Sequence, residues 1–142
     1  MAYMNQERKK MLAPHIKRVL KKYGMKATLS TDAYSINVNI KSGKLDLIGE
    51  ALKAGKNNRI IAEYKYFQLN HYHLDQSAVD ETVLRFYKDL IQAVKGEDPL
   101  FLLENGEPLH YDKSDPMTDL FLVAYYFHIN IGKWNRPYEF TS

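Results

Sequence analysis

Two histidines and an aspartate at alternate positions, His71, His73 and Asp75 in the segment HYHLD, have the spacing that a metal site requires. In a strand these positions share one face, so two imidazoles and a carboxylate would converge. Such ligands suit zinc or another divalent metal of the first transition row. No glutamate or water-activating motif accompanies them, so surface or structural histidines are the favoured interpretation.

A second candidate metal site consists of acidic residues. Asp112, Asp115 and Asp119 lie in the segment DKSDPMTD, and three carboxylates separated by turn residues can hold Mg²⁺ or Ca²⁺. Aspartates in such a segment also form Asx turns and helix caps, and Asp115-Pro116 is typical of turn initiation. The pattern therefore favours a structural turn that presents three negative charges.

Catalytic machinery is not evident in the sequence. It contains no G-x-S-x-G, no H-E-x-x-H and no nucleotide-binding glycine loop. His110 and His128 each have the chemistry of a general base, but no activated nucleophile is identifiable by spacing. We therefore expect no catalysis and no cofactor.

Positive charge is concentrated near the N-terminus. Asn5 and Gly24 are a suitable N-cap and C′ residue for a helix over residues 6–23, although Pro14 should kink it. Its polar side could be a solvated surface or a phosphate-binding surface. That side carries Arg8, Lys9, Lys10, Lys17, Arg18, Lys21 and Lys22.

The C-terminal tail places aromatic residues beside cations. Trp134 and Tyr138 alternate with Lys133 and Arg136, and Phe140 follows. Aromatic and cationic side chains together stack nucleic-acid bases or anchor a protein interface. The same aromatics could instead close the core, and the sequence leaves both interpretations open.

The totals indicate one domain, residues 1–142, of ordinary globular composition, with 45% apolar residues and no cysteine. No apolar run reaches the roughly 18 residues that span a bilayer, so we expect no membrane partner. The net charge of +3 combines a balance of +9 in residues 1–65 with −6 in residues 66–142. This asymmetry is compatible with a two-faced molecule or with halves that neutralise each other.

The pattern of elements predicts an α+β domain, in which an antiparallel sheet of about four to five strands is covered by two main helices. Alternation predicts a hairpin over residues 27–31 and 34–40, and aromatic and β-branched composition predicts a central strand over residues 120–131. Ser77 is the expected N-cap of the second main helix, over about residues 78–95. Residues 60–74 have extended character, and residues 45–54 and 100–103 form short helical segments.

Three segments resemble a known family. They are MAYMNQERKK with PHIKRVLKKYG, then SINVNIKSGKLDLIG, and finally DPMTDLFLVAYYFHINIGKWNRPY. They resemble the large polyvalent protein-associated domains of tailed phages and other mobile elements, in particular the type ending in Gly-Lys-Trp-x-Lys-Pro-Tyr, which corresponds here to residues 132–138. The resemblance covers about half the chain and leaves residues 53–107 unmatched. It implies an α+β module with no established catalytic residues.

Two functions follow as expectations, with a metal-dependent enzyme at His71, His73 and Asp75 as a distant third. The first is a non-catalytic inhibitor of a bacterial defence protein, such as a CRISPR effector or a restriction enzyme, in the host cytoplasm. Its contact residues would be Asp112, Asp115, Asp119, Trp134, Arg136 and Tyr138. The second is a module that binds DNA or RNA through the basic N-terminal helix.

Overall fold

The computed structural model describes residues 4–55, 59–110, 124–133 and 135–141. Trp134 and the segment that holds Asp112, Asp115 and Asp119 lie outside the described residues. The helices are α1 (Gln6–Lys22), α2 (Leu47–Lys53), α3 (Arg59–Tyr64), α4 (Glu81–Lys95) and α5 (Pro99–Asn105), with one 3₁₀ turn at Leu74–Gln76. The strands are β1 (Met25–Thr31), β2 (Ser35–Gly43), β3 (Phe67–Gln68), β4 (Tyr126–Ile131) and β5 (Glu139–Phe140).

The predicted N-terminal helix is confirmed as α1. The Asn5 side chain accepts a hydrogen bond from the Arg8 backbone N–H at 2.8 Å, which caps the first turn. Gly24 follows the helix with φ +69°, a left-handed conformation that glycine adopts without steric cost. Pro14 lies inside this single helix.

The strands form one sheet in the order β1-β2-β4-β3, with β5 pairing on β2. The predicted hairpin is confirmed, because β1 and β2 are antiparallel neighbours. Asp32 stabilises its turn by accepting hydrogen bonds from the Ser35 hydroxyl and the Tyr34 N–H, and these bonds lower the pKa of the Asp32 carboxyl. β3 and β4 are also antiparallel, whereas β4 and β5 each run parallel to β2.

One face of the sheet is apolar. In β2 and β4 the register places Ile36 beside Phe127, Val38 beside Ile129 and Ile40 beside Ile131. All six side chains are buried. The predicted final strand begins later than expected, at Tyr126, and residues 120–123 lie outside the described residues. Its predicted alternation is confirmed for residues 126–131: the odd-numbered residues face the core and the even-numbered ones do not.

Helices cover this apolar face. α1 packs against both β1 and α4, and buried side chains of the two helices join those of the strands in one core. The predicted class, an α+β domain with a sheet of four to five strands and two main helices, is confirmed. The sheet was predicted to be antiparallel, but it is mixed, because β4 and β5 run parallel to β2. No helix within the described residues is long and apolar enough to span a membrane.

The structure differs from two of the predicted elements, one in its type and one in where it begins. Residues 59–64 form α3 rather than extended chain, and the left-handed Lys65 (φ 54°) ends that helix. The second main helix begins at Glu81, because Asp80 is the N-cap and accepts from the N–H groups of Thr82 and Val83. Ser77 is not the cap. The buried Glu50 carboxylate accepts the backbone N–H groups of Val79 and Asp80, which therefore find partners outside the helix.

Two buried tyrosines provide a matched stability test. The hydroxyl of Tyr87 has no hydrogen-bond partner among the described residues, whereas the hydroxyl of Tyr125 donates to the Val94 carbonyl at 2.7 Å. An unsatisfied buried hydroxyl costs about 1–3 kcal/mol, so Tyr87→Phe should leave the free energy of unfolding unchanged or raise it by about 1 kcal/mol. Tyr125→Phe should lower it by about 1 kcal/mol. Urea denaturation of both variants measures the difference, and a larger loss for Tyr87→Phe would contradict it.

Candidate binding surface

The second face of the sheet is polar and open to solvent. Its side chains alternate with the buried ones along β1, β2 and β4, and Gln68 of β3 extends the row. Thr28, Ser30 and Gln68 are exposed on this face, and its remaining residues, in β2 and β4, are half-buried. We call this surface the open face, and define it as Thr28, Ser30, Asn37, Asn39, Gln68, His128 and Asn130.

Hydrogen bonds between strands fix the side chains of the open face. The amide of Asn130 donates to the Asn39 carbonyl oxygen at 3.0 Å, and the Asn39 amide donates to Ser30 Oγ at 3.2 Å. Gln68 Nε2 lies 2.7 Å from His128 Nδ1. Because an amide nitrogen only donates, Nδ1 accepts, and a neutral His128 carries its proton on Nε2. The open face is thus a pre-ordered array of hydrogen-bond donors and acceptors.

Cations and tyrosines border this array. Lys26, Lys41, Lys133 and Arg136 are exposed around one end, and the last three line a cleft of about 540 Å³ that also contains Glu139. At the other end, Tyr34 is 57% exposed and Tyr126 is 48% exposed, and the Tyr126 N–H donates to the Tyr34 carbonyl. Hydrogen-bonding groups between aromatic rings and cations are typical of recognition surfaces.

The tail residues divide between core and surface. Tyr138 is buried (3% exposed), and its hydroxyl donates to the Leu45 carbonyl, so the expectation that it contacts a partner was wrong. Burial raises the pKa of the Tyr138 hydroxyl above its usual range. Arg136 is exposed at the border of the open face, where a partner can reach it.

Three of the seven basic residues of α1 make structural contacts. Arg8 donates to the Ala124 carbonyl at 3.0 Å and lies 6.0 Å from the Tyr125 ring centre. Arg18 forms an ion pair with the buried Asp98. Lys22 lies 3.6 Å from Asp89 Oδ2. These contacts hold α1 to the rest of the fold, so Arg8, Arg18 and Lys22 have structural roles whether or not they also meet phosphate.

The other basic residues of α1 are Lys9, which is half-buried, and three exposed lysines. At 100° per residue, positions 10, 17 and 21 fall within about 20° of one helical direction. None of Lys10, Lys17 and Lys21 has a carboxylate within 4.0 Å among the described residues. We call these three residues the lysine stripe.

The proposed metal ligands do not share a strand face. His71 and His73 lie in a turn, and Asp75 is in the 3₁₀ turn that follows. The His71 ring packs 4.5 Å from the ring centre of Phe127, whereas His73 and Asp75 are exposed. Within the described ranges, no group of three His, Asp or Glu side chains is placed to hold a metal ion.

The open face was not predicted as a site, although the sequence contains part of its pattern. Ser35, Asn37 and Asn39 alternate with apolar residues in β2, and Tyr126, His128 and Asn130 do so in β4. What was missing was the parallel pairing of the two strands, which places Asn37 beside His128 and Asn39 beside Asn130.

Comparison of the chain with models of known protein families, with functionally characterised proteins and with solved structures finds no match. Its functional assignment therefore depends on the residues described above.

Proposed function

We propose that this protein works by binding rather than by catalysis, and that it inhibits a bacterial defence protein such as a CRISPR effector or a restriction enzyme. The open face is the principal contact surface in this proposal. The resemblance of residues 132–138 and of the N-terminal segments to phage and mobile-element domains supports the choice of target.

The observation that carries the proposal is the ordered polar array of the open face. Three inter-strand side-chain bonds hold Ser30, Asn39 and Asn130, and Gln68 with His128, in fixed positions. Side chains that are ordered before binding lose less conformational entropy when a partner arrives. The cations around one end favour a partner with an acidic contact surface.

The test is capture of partners from a bacterial lysate by tagged protein, with and without nuclease treatment. We expect a stoichiometric protein partner that survives nuclease and whose enzymatic activity falls when purified wild-type protein is added. Asn37→Glu places a negative charge in the centre of the open face and should abolish capture. Gln92→Glu introduces the same charge at an exposed position of α4 and should leave capture intact.

Three results would overturn the proposal. Partners that disappear on nuclease treatment would show that nucleic acid holds the complex together. Full capture by Asn37→Glu would exclude the open face as the contact surface. A partner whose activity is unchanged would exclude inhibition. Charge reversal at Asp112, Asp115 and Asp119 tests whether the acidic segment contributes: unchanged inhibition would remove these residues from the contact surface.

The second candidate function is nucleic-acid binding, and the lysine stripe is the observation that favours it. Three exposed cations on one side of α1 have no carboxylate partner within 4.0 Å among the described residues. Lysine side chains in such a row can follow the phosphates of one strand.

The triple variant K10E/K17E/K21E tests this function. If each lysine neutralises one phosphate, the logarithm of the affinity of wild-type protein for duplex DNA should fall against the logarithm of salt concentration with a slope of about −2.7. The variant should show no measurable binding in the same fluorescence-anisotropy titration. The control Lys88→Glu, at an exposed position of α4, should bind as wild type does. Salt-independent binding, or binding by the triple variant, would exclude the lysine stripe.

A further inference from the structure

A cavity of about 600 Å³ lies at the edge of the sheet, where β4 extends past β3. β3 pairs with Asn130 and Ile131, and the Leu69 N–H bonds the Ile129 carbonyl, after which the chain turns away. The walls of the cavity come from that turn, from the end of α4 and from β4. We call it the edge cleft, and define it by His71, Tyr72, Lys95, Glu97, His110 and Phe127. Its volume lies within the range of small-molecule sites.

The Phe127 ring organises the wall of the edge cleft. The His71 ring centre lies 4.5 Å from that of Phe127, and the His110 ring centre lies 5.6 Å from it, edge-on. Lys95 Nζ is 6.0 Å from the same ring centre. His110 Nε2 lies 3.0 Å from the Tyr125 carbonyl oxygen, which only accepts, so a neutral His110 carries its proton on Nε2. Two imidazoles and an ammonium group therefore surround one phenyl ring.

The polar groups of the cleft are suited to an anion. No carboxylate lies within 4.0 Å of Lys95 Nζ among the described residues. The pKa of His71 is lowered, first by burial and then by the positive charges of Lys95 and His128. A bound anion would offset that repulsion. Glu97, at the same wall, can accept hydrogen bonds from hydroxyl groups.

Aromatic surface completes the cleft. Tyr72 is 74% exposed and Tyr126 is 48% exposed, and both belong to the cavity lining. Large exposed aromatic rings beside a cavity can stack on a planar ring system.

We propose that the edge cleft binds the phosphomonoester end of a nucleotide, either free in solution or at the terminus of a strand. Lys95 contacts the phosphate, Glu97 accepts from the ribose hydroxyls, and the base lies against the rings of Tyr72 and Tyr126. The cleft adjoins the open face, because Gln68 and His128 belong to both, but its proposed ligand is a nucleotide unit rather than a protein surface.

Calorimetric titration of the whole protein with AMP, GMP, CMP, UMP and inorganic phosphate tests the proposal. We expect at least one nucleotide to bind with Kd of about 1 mM or tighter, and inorganic phosphate to bind at least tenfold more weakly. Lys95→Gln should weaken nucleotide binding by about tenfold, since it removes one charge-assisted hydrogen bond. Lys88→Gln, the matched change at an exposed position of the same helix, should have no effect.

A second readout follows the imidazole directly. Nucleotide binding should raise the pKa of His71, measured by NMR titration of its ring carbons, and the rise should be smaller in Lys95→Gln at the same nucleotide concentration. The amide spectrum of that variant shows whether its fold is retained. A 5′-phosphorylated tetranucleotide distinguishes the two sources: tighter binding than the mononucleotides indicates a strand terminus, and weaker binding indicates a free nucleotide.

Three outcomes would overturn the assignment. No nucleotide and no oligonucleotide binding would exclude the site. Inorganic phosphate binding as tightly as the nucleotides would exclude recognition of base and ribose. Equal losses in Lys95→Gln and Lys88→Gln would show that the contact is made elsewhere. None of these outcomes depends on whether the open face binds a protein.

Discussion

Replacing Gly132 with alanine should lower the free energy of unfolding by about 2–5 kcal/mol. Gly132 has φ +69°, which costs an L-residue about 1–2 kcal/mol. A Cβ atom there would also lie 2.6 Å from the Lys65 carbonyl oxygen and 2.7 Å from the Tyr138 nitrogen. Both atoms belong to backbone and hydrogen-bond to each other at 2.9 Å, so relief of the clash would break the contact between α3 and the tail. Overpacking of this kind adds about 1–3 kcal/mol.

Gly106→Ala is the control for this change. Gly106 also has a left-handed backbone (φ +82°), but an added Cβ would meet nothing within 4 Å. Its substitution should cost only the conformational term, about 1–2 kcal/mol. Urea denaturation of the two variants separates the conformational cost from the steric clash. Equal losses in free energy of unfolding would contradict the close approach at Gly132.

The second large effect is expected at Asp98. This carboxylate is 4% exposed, accepts the Phe101 N–H at 2.9 Å as the N-cap of α5, and forms the ion pair with Arg18 of α1. Asp98→Ala removes a cap worth about 1 kcal/mol and a charge-assisted bond worth about 1.5–3 kcal/mol. Arg18 is 43% exposed and regains some hydration, so we expect a net loss of about 2–3 kcal/mol.

Asp80→Ala provides the matched cap removal, because Asp80 is exposed and caps α4 without an ion pair within 4.0 Å among the described residues. It should cost about 1 kcal/mol. Asp98→Asn keeps an oxygen acceptor for the cap. Its loss in free energy of unfolding should therefore fall between those of the two alanine variants. If Asp98→Ala lost no more than Asp80→Ala, the Arg18 contact would contribute nothing to stability.

Local patterns in the sequence predicted the elements whose burial repeats regularly. The hairpin, α1 and the alternation of β4 each depend on several residues at fixed spacing, so one atypical residue such as Pro14 does not obscure them. Tyr138 could not be assigned in this way. An isolated aromatic after the last strand carries no periodicity, and its contact with Leu45 depends on the tertiary fold.

The segment 60–74 shows a different limit. Its aromatic and β-branched residues favour a strand, but a strand also needs a partner, and β3 finds pairing on β4 for only two residues. Prediction of the open face also required knowledge of which strands pair. The polar residues of β2 and β4 were visible as two separate stripes, and only the parallel pairing of the strands makes them one surface.

That parallel pairing also has a consequence for how the chain folds during synthesis. Asn39 and Asn130 touch, yet they are 91 positions apart, so the ribosome makes β2 long before its neighbour β4. At about 5–20 residues per second, one edge of β2 waits roughly 5–18 s for β4 to be made. An unpaired strand edge is a template for pairing with other chains. The β1–β2 hairpin is therefore where we expect a nascent or truncated form of this protein to aggregate or to recruit a chaperone.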